Sequence, residues 1–446
     1  MNTPIFDFVR SYAASGGARL HMPGHKGRSL LGCEALDITE ISGADALYEA
    51  SGIIAESENN AAKLFRSART FYSTEGSSQC IRAMLALAVW NAPPGIRPVV
   101  AAARTVHKSF LSAAALLDFD VAWLWPAAPS RSICACEVSS DTLEEVLAGL
   151  SSPPAAVYVT SPDYLGNQIN LPPLAQAAHR RGIPLLVDNA HGAYLRFLPQ
   201  SRHPLDLGAD LCCGSAHKTL PVLTGGAYLH VAERAPRSFA GNGKRALELF
   251  GSTSPSYLIL QSLDLCNRCL AGSYPDRLAR TAGELEALRR QLRERGWAVL
   301  ETDPLKLTID CAASGWDGFA LAQKMRRGGV ECEYRDRDYL VLMWTPENPP
   351  EDFVRVRDCL GVNTNSPLEL PPLPLAKGEQ VLTIREALFR PHETVPAGQA
   401  EGRVCGAPTV GCPPAVPIAV SGERIGREAV ELFYHYGVET VEVVAE

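Results

Sequence analysis

Lys218 stands in Gly214-Ser215-Ala216-His217-Lys218-Thr219-Leu220, between two short apolar runs, 209–213 and 227–231, that read as core strands joined by a turn. An amine in such a place is either a solvated surface charge or a nucleophile held in a cleft. In the second case desolvation lowers its pKa and readies it to attack a carbonyl. Asp188 follows the wholly apolar Leu185-Leu186-Val187 and opens Asp188-Asn189-Ala190-His191-Gly192. A carboxylate there is short of water and wants a cationic partner; the plainer alternative is a helix N-cap. Thr74-Glu75-Gly76-Ser77-Ser78 leads into an apolar helical stretch, 79–90. Free amides, the positive end of the dipole and two hydroxyls would suit an anion, and an ordinary serine cap fits as well. His107 and Ser161-Pro162-Asp163-Tyr164 each follow another apolar run. Near the start, Leu20-His21-Met22-Pro23-Gly24-His25-Lys26-Gly27 is a polar Pro-Gly loop that physics alone reads as a solvated turn.

The elements that must position these groups alternate. Strands are expected at 98–103, 121–125, 156–160 and 183–188. Helices are expected at 108–117, at 142–150 with Asp141 as cap, and at 171–181. A helix is also expected at 56–68, ahead of a short strand at Phe71-Tyr72-Ser73. The runs do not alternate polar and apolar, as expected of strands covered on both faces, and repeated strand–helix units imply a mostly parallel sheet. Ligands of such sheets sit beyond the carboxyl ends of the strands, where His107, Ser161–Tyr164, Asp188–His191 and Ser215–Lys218 cluster. Further on, helices are expected at 254–270, 277–296, 318–327 and 350–360. Strands are expected at 297–300, 305–310, 330–334 and 339–344, making a small α+β domain. A proline-rich linker at 367–374 precedes a last segment ending in a helix, 427–436, and a strand, 439–443. The expected organisation is an N-terminal helix and arm (1–50), a large domain (51–270), connecting helices with the small α+β domain (271–372), and a C-terminal α+β domain (373–446).

The chain has 446 residues, 46% of them hydrophobic, with 42 basic against 49 acidic side chains. That balance argues against nucleic-acid binding, and no apolar run approaches the ~18 residues of a membrane span. With Asp7 and Arg10 in its first apolar stretch the N-terminus does not read as a signal peptide, and a cytoplasmic protein is expected. Thirteen cysteines, with Cys134/Cys136 and Cys266/Cys269 as isolated pairs, read as reduced core thiols rather than metal ligands.

A lysine on a turn, an aspartate at a strand end, an anion cradle at a helix start and a strand-end histidine are together what pyridoxal phosphate requires. The lysine forms the imine with its aldehyde, and the aspartate keeps the pyridine nitrogen protonated so that the ring draws electrons. The cradle holds the phosphate, and a flat ring packs on its face. No nucleotide-binding glycine fingerprint or Walker loop competes.

The same stretches resemble the Orn/Lys/Arg decarboxylase family in its short form, without an N-terminal receiver-like domain. Met22-Pro23-Gly24-His25-Lys26-Gly27, Ser73–Ser78, Val106-His107-Lys108-Ser109 and Ser161–Gly166 carry the likeness. So do Val187–Gly192, Gly214–Leu220 and, near the end, Pro413-Pro414-Ala415-Val416-Pro417 with Gly422-Glu423. The resemblance implies the fold-type-I pyridoxal-phosphate architecture. It implies decarboxylation of arginine, lysine or ornithine to the amine and carbon dioxide, feeding polyamine metabolism. Lys218 would carry the cofactor, Asp188 would pair with its ring nitrogen, His107 would stack on it and His191 would lie beside it. Gly76, Ser77, Ser78, Ser215 and His217 would hold the phosphate. His25, Lys26, Tyr164 and Glu423 are the substrate candidates, with Asp37, Glu40 and Asp45 as further carboxylates for a distal cation. A homodimer or higher oligomer with shared active sites is implied, the Pro23–Lys26 loop serving the neighbour. The chain departs from the family pattern at Glu75, Asp163 and Ala415. An aminotransferase or carbon–sulfur lyase on the same fold, with Arg335, Arg337, Arg355 or Arg357 clamping the α-carboxylate, is the alternative enzyme. A cofactor-binding pseudoenzyme or regulatory subunit is the alternative outside catalysis.

Overall fold

A computed structural model describes residues 1–135, 137–410 and 416–445. Cys136 and the Pro413-Pro414-Ala415 stretch of the family-like loop therefore lie outside the described residues. The elements used below are, in chain order, α1 (Pro4–Ala14), α2 (Ile53–Phe65), β1 (Arg69–Ser73), α3 (Gly76–Trp90), β2 (Val99–Ala103), α4 (Lys108–Leu117), β3 (Asp120–Leu124), β4 (Ala156–Thr160), β5 (Leu185–Asp188), β6 (Leu211–Gly214), β7 (Ala227–Val231), β8 (Lys306–Asp310), β9 (Tyr334–Arg335) and β10 (Tyr339–Met343). The chain divides into two compact units, Met1–Asn91 with Ala178–Leu278 and Ala92–Ala177 with Ala279–Glu446.

In the first unit β5 runs parallel to β6, with Asp188 opposite Cys213. β6 is antiparallel to β7, and β7 to β1. The antiparallel turn at β6 has a local cause. The connection from β6 to β7, residues 215–226, holds only a one-turn helix, Ala216–Thr219, and no helix long enough to cross the sheet face as a parallel return requires. Lys218 thus sits on a single helical turn rather than in an open loop. Every residue of β5, β6 and β7 is buried, as their unbroken apolar runs predict. α3 is buried on most of its surface, from Gln79 to Ala88.

In the second unit β2 is parallel to both β3 and β4. The helix after β3 begins at Ser140. Its cap is Ser139, whose hydroxyl accepts from the amide of Thr142, while the expected cap Asp141 sits in the first turn and complements the dipole instead. A second sheet in this unit orders β8–β10–β9, all antiparallel, over a core of Trp297, Leu307, Ile309, Leu340, Leu342 and Trp344. Two expected strands shrink here for one reason. The amides of Trp297 and Val330 turn back to Leu292 and Met325, closing the C-terminal turns of the preceding helices. Segment 297–300 keeps a single bridge, Val299 opposite Ile309, and 330–334 yields only the two-residue β9. Among the described residues, no helix is long and apolar enough to cross a membrane.

Candidate active site

Lys218 Nζ lies 2.9 Å from His191 Nε2. The contact follows from strand pairing. His191 leaves β5 three residues beyond Asp188, and Lys218 leaves β6 four residues beyond Gly214, so two adjacent parallel strands deliver both to one edge. Asp188 is 2% exposed and ends β5. Its Oδ1 accepts from the amide of Ala190 at 3.1 Å and from Cys213 Sγ at 3.4 Å. The sequence reading missed Cys213, counting it as core. Burial raises its thiol pKa well above the ordinary value, so it stays protonated and donates to the carboxylate.

The start of α3 forms the anion cradle. Its N-cap, Glu75, makes no side-chain cap bond; the amide of Gly76 donates to the carbonyl of Gly225 at 2.7 Å, so the amides of Ser77 and Ser78 are the first-turn donors left to an anion. Glu75 instead turns its carboxylate to the amide of Ser252, away from the cap position. Gly76 has φ +73°, and a Cβ added there would meet nothing within 4 Å, so the backbone faces open space. Ser215 Oγ donates to Ser77 Oγ at 2.7 Å, tying the turn after β6 to the cradle. His217 Nδ1 donates to the carbonyl of Gly226 at 3.0 Å, and burial lowers its pKa, so the ring is held neutral as a brace for the turn.

The other expected site residues are placed as follows. His107 caps α4, its Nδ1 accepting from the amide of Ser109 at 3.1 Å, which leaves the neutral ring's proton on Nε2. Tyr164 donates its hydroxyl to Glu333 at 2.9 Å and packs edge-on against Tyr334. Asp163 is 6% exposed. Its carboxylate accepts from the amides of Gly166 and Asn167 and from Asn167 Nδ2, and burial pushes its pKa up to about 6. His25 Nε2 lies 3.2 Å from Asp37, and Lys26 Nζ donates to the carbonyl of His21 at 2.5 Å. Asp45 caps the start of α2 through the amides of Gly52 and Ile54. Glu40 accepts from the hydroxyl of Thr39. Glu423 is 2% exposed and holds Arg104 at 3.1 Å, the guanidinium lying over Trp123 and Trp125. Its charge is therefore engaged inside the fold rather than offered to a ligand.

The residues present fit pyridoxal phosphate. The first unit holds an amine beside an imidazole, a buried carboxylate on the neighbouring strand and a hydroxyl-lined helix start. A mixed sheet covered by helices, with this donor set at its carboxyl ends, defines a fold-type-I pyridoxal-phosphate enzyme.

The sequence profile described as "Orn/Lys/Arg decarboxylase, major domain" matches residues 3–324, and the chain belongs to that family of pyridoxal-phosphate-dependent amino-acid decarboxylases. It is similar to YaaO of Bacillus subtilis, described as an uncharacterized protein, with 29% identity over 97% of this chain and 93% of that one. To the arginine decarboxylase of the same organism it is 27% identical, again over 97% of this chain and 93% of that one. In structure it resembles the Francisella novicida lysine decarboxylase LdcF. The TM-score is 0.81 over 99% of this chain and 81% of that one, at 16% identity, a likeness of fold.

Proposed function

We propose that the chain decarboxylates arginine to the corresponding amine and carbon dioxide, with lysine and ornithine as the other candidate substrates, and so supplies polyamine formation. The observation that carries this is the 2.9 Å contact between Lys218 and His191, next to the buried Asp188. Relatives aligned over nearly the whole chain and named arginine decarboxylase support arginine as the first candidate.

When bound, pyridoxal phosphate supplies a conjugated, electron-withdrawing ring that takes up the electron pair left at Cα. Lys218 would hold the cofactor covalently through Nζ. His191 would exchange a proton with that nitrogen, keeping the amine able to leave and return. Asp188, its Oδ1 already braced by Cys213 and Ala190, would keep the ring nitrogen protonated by its charge. Gly76, Ser77, Ser78 and Ser215 would hold the phosphate at the start of α3, with His217 bracing the turn from behind. His107 would stack on the ring, its orientation set by the Ser109 amide. Lys218 and His107 are the candidates to return a proton to Cα after carbon dioxide leaves. An apolar, water-poor surround for the substrate carboxylate would favour its loss as neutral gas.

The test is incubation of the purified protein and cofactor with arginine, lysine and ornithine separately, measuring carbon dioxide and identifying the amine. Stoichiometric amine and carbon dioxide from arginine is the expected result. A keto acid without carbon dioxide would mark an aminotransferase and overturn the proposal.

A further inference from the structure

Gln79, the fourth residue of α3, is a polar side chain that the chemistry above does not use, and it is 1% exposed. A primary amide so enclosed is costly unless its donors and its acceptor are all matched. Its Nε2 donates to the carbonyl of Leu247 at 2.9 Å and to Tyr48 Oη at 2.8 Å. A carbonyl only accepts, so this contact fixes which end of the amide is nitrogen, and Oε1 is left facing Ser73 Oγ at 2.5 Å. Ser73, buried at the end of β1, has one hydroxyl proton. It goes to Gln79, because the other acceptor, the carbonyl of Gly76, is farther away at 3.1 Å. The same oxygen accepts from the amide of Glu75 at 3.1 Å. The bonds form one directed chain, from the N-cap amide of α3 through Ser73 and Gln79 to Leu247.

That chain is anchored in the core of the first unit. Leu247 is buried and belongs to the helix Arg237–Glu248. The segment after this helix meets the cradle again, where the amide of Ser252 donates to the Glu75 carboxylate. Between the two contacts, a Cβ on Gly251 would overlap Tyr48 Oη and Gln79 Nε2, so only glycine lets the segment pass this close. The cradle is also tied to the Lys218 turn and its strand, through the amide of Gly76 on Gly225 and through Ser215 on Ser77. Residues 73–77 are therefore fixed from two separate parts of the first unit before any anion arrives. A donor set held in advance binds more tightly than one that must be ordered by its ligand.

We propose that Gln79 and Ser73 are positioning residues for the cofactor phosphate, holding the start of α3 so that the amides of Ser77 and Ser78 stand ready for it. This rests on the phosphate-cradle reading above. Both side chains are enclosed, so they act through the Glu75 turn and not by touching the phosphate.

Ser73→Ala removes one hydroxyl and is the milder test; Gln79→Met keeps the length of the side chain and removes its donors and acceptor. Equilibrium dialysis of the full-length protein gives Kd for pyridoxal phosphate and for pyridoxal, which lacks the phosphate. Phosphorus NMR of the holoenzyme reports the surroundings of the bound anion. Each variant raises Kd for pyridoxal phosphate about tenfold, leaves Kd for pyridoxal within about twofold, and shifts the phosphorus resonance. The double variant loses little more than either single change, because both cut the same link. Unchanged Kd for pyridoxal phosphate in the single variants overturns the proposal. So does an equal loss for pyridoxal, which marks general loosening of the fold, and so do losses that simply add in the double variant. A wild type that binds pyridoxal phosphate no more tightly than pyridoxal overturns the cradle and the proposal together; a phosphate preference that the variants keep in full overturns the proposal alone.

Discussion

An amine acts as a nucleophile near neutral pH only where its surroundings take up its proton, and His191 is 2.9 Å from Lys218 Nζ. Lys218→Ala is expected to lower decarboxylation by about 10³-fold or more while leaving the protein folded, as circular dichroism and initial rates will show. Asp188→Asn keeps the shape of the side chain and removes its charge. It should cost about 10²-fold in rate, with a smaller loss for Cys213→Ala, which removes only a donor to that carboxylate. Comparable losses for the two variants would contradict the electrostatic role given to Asp188. At this scale the sequence was most legible where a polar residue ends an unbroken apolar strand, as Asp188 and Ser215 do. It was least legible where charge is neutralised across the fold. Nothing near Glu423 in the chain announces Arg104, and a carboxylate that looked available to a substrate cation is internal. Asp163 misled in a milder way: its departure from the family pattern serves the local turn.

At the scale of elements, β1, β7 and α2 enclose two imidazoles with 0% exposure, His203 and His230, whose rings stand 5.4 Å apart and pack on Phe65. Burial pushes the pKa of His203 down to about 3 and that of His230 well below its ordinary value. The folded state therefore refuses protons that the unfolded chain accepts below its pKa of ~6.5. Stability is complete above that pH and is lost as pH falls toward the folded values, at about 1.4 kcal/mol per pH unit for each histidine. Buried carboxylates such as Asp163 and Asp264, with pKa raised to about 6, act in the opposite sense, so the histidine share is read by difference: in denaturant titrations between pH 7 and 4, His203→Phe should differ from wild type by about one histidine's slope. An unchanged slope would contradict it. Asp264 works at a second junction. It accepts from the amides of Ile5 and Phe6, both at 3.0 Å, and so docks the start of α1. Asp264→Ala should cost about 1–2 kcal/mol of stability, the value of a lost helix cap. The alternating strands and helices were readable because each strand is apolar throughout and each helix keeps its period. The boundaries that failed, at Trp297 and Val330, lie where a backbone amide closes a helix instead of joining a ladder, each just after a glycine in the left-handed region, Gly296 at φ +85° and Gly329 at φ +76°.

For the whole molecule, the N-terminal arm leaves Leu20, Met22, Leu30 and Leu31 at 93%, 65%, 84% and 89% exposure. Large apolar side chains grouped in one short segment favour burial against a partner, and the homodimer that the family resemblance implies would supply one. Sedimentation of the wild type should give a dimer or larger. Replacing both leucines, Leu30→Asp with Leu31→Asp, should shift it toward monomer and reduce activity with it. A monomeric wild type with full activity would remove the proposal of shared sites. The most direct test of the account as a whole is chemical. Holoenzyme is reduced with borohydride, digested, and its peptides are weighed. A pyridoxyl-phosphate adduct is expected on the peptide containing Lys218 and on no other; an adduct on a different lysine, or none in protein saturated with cofactor, would contradict the role given to Lys218.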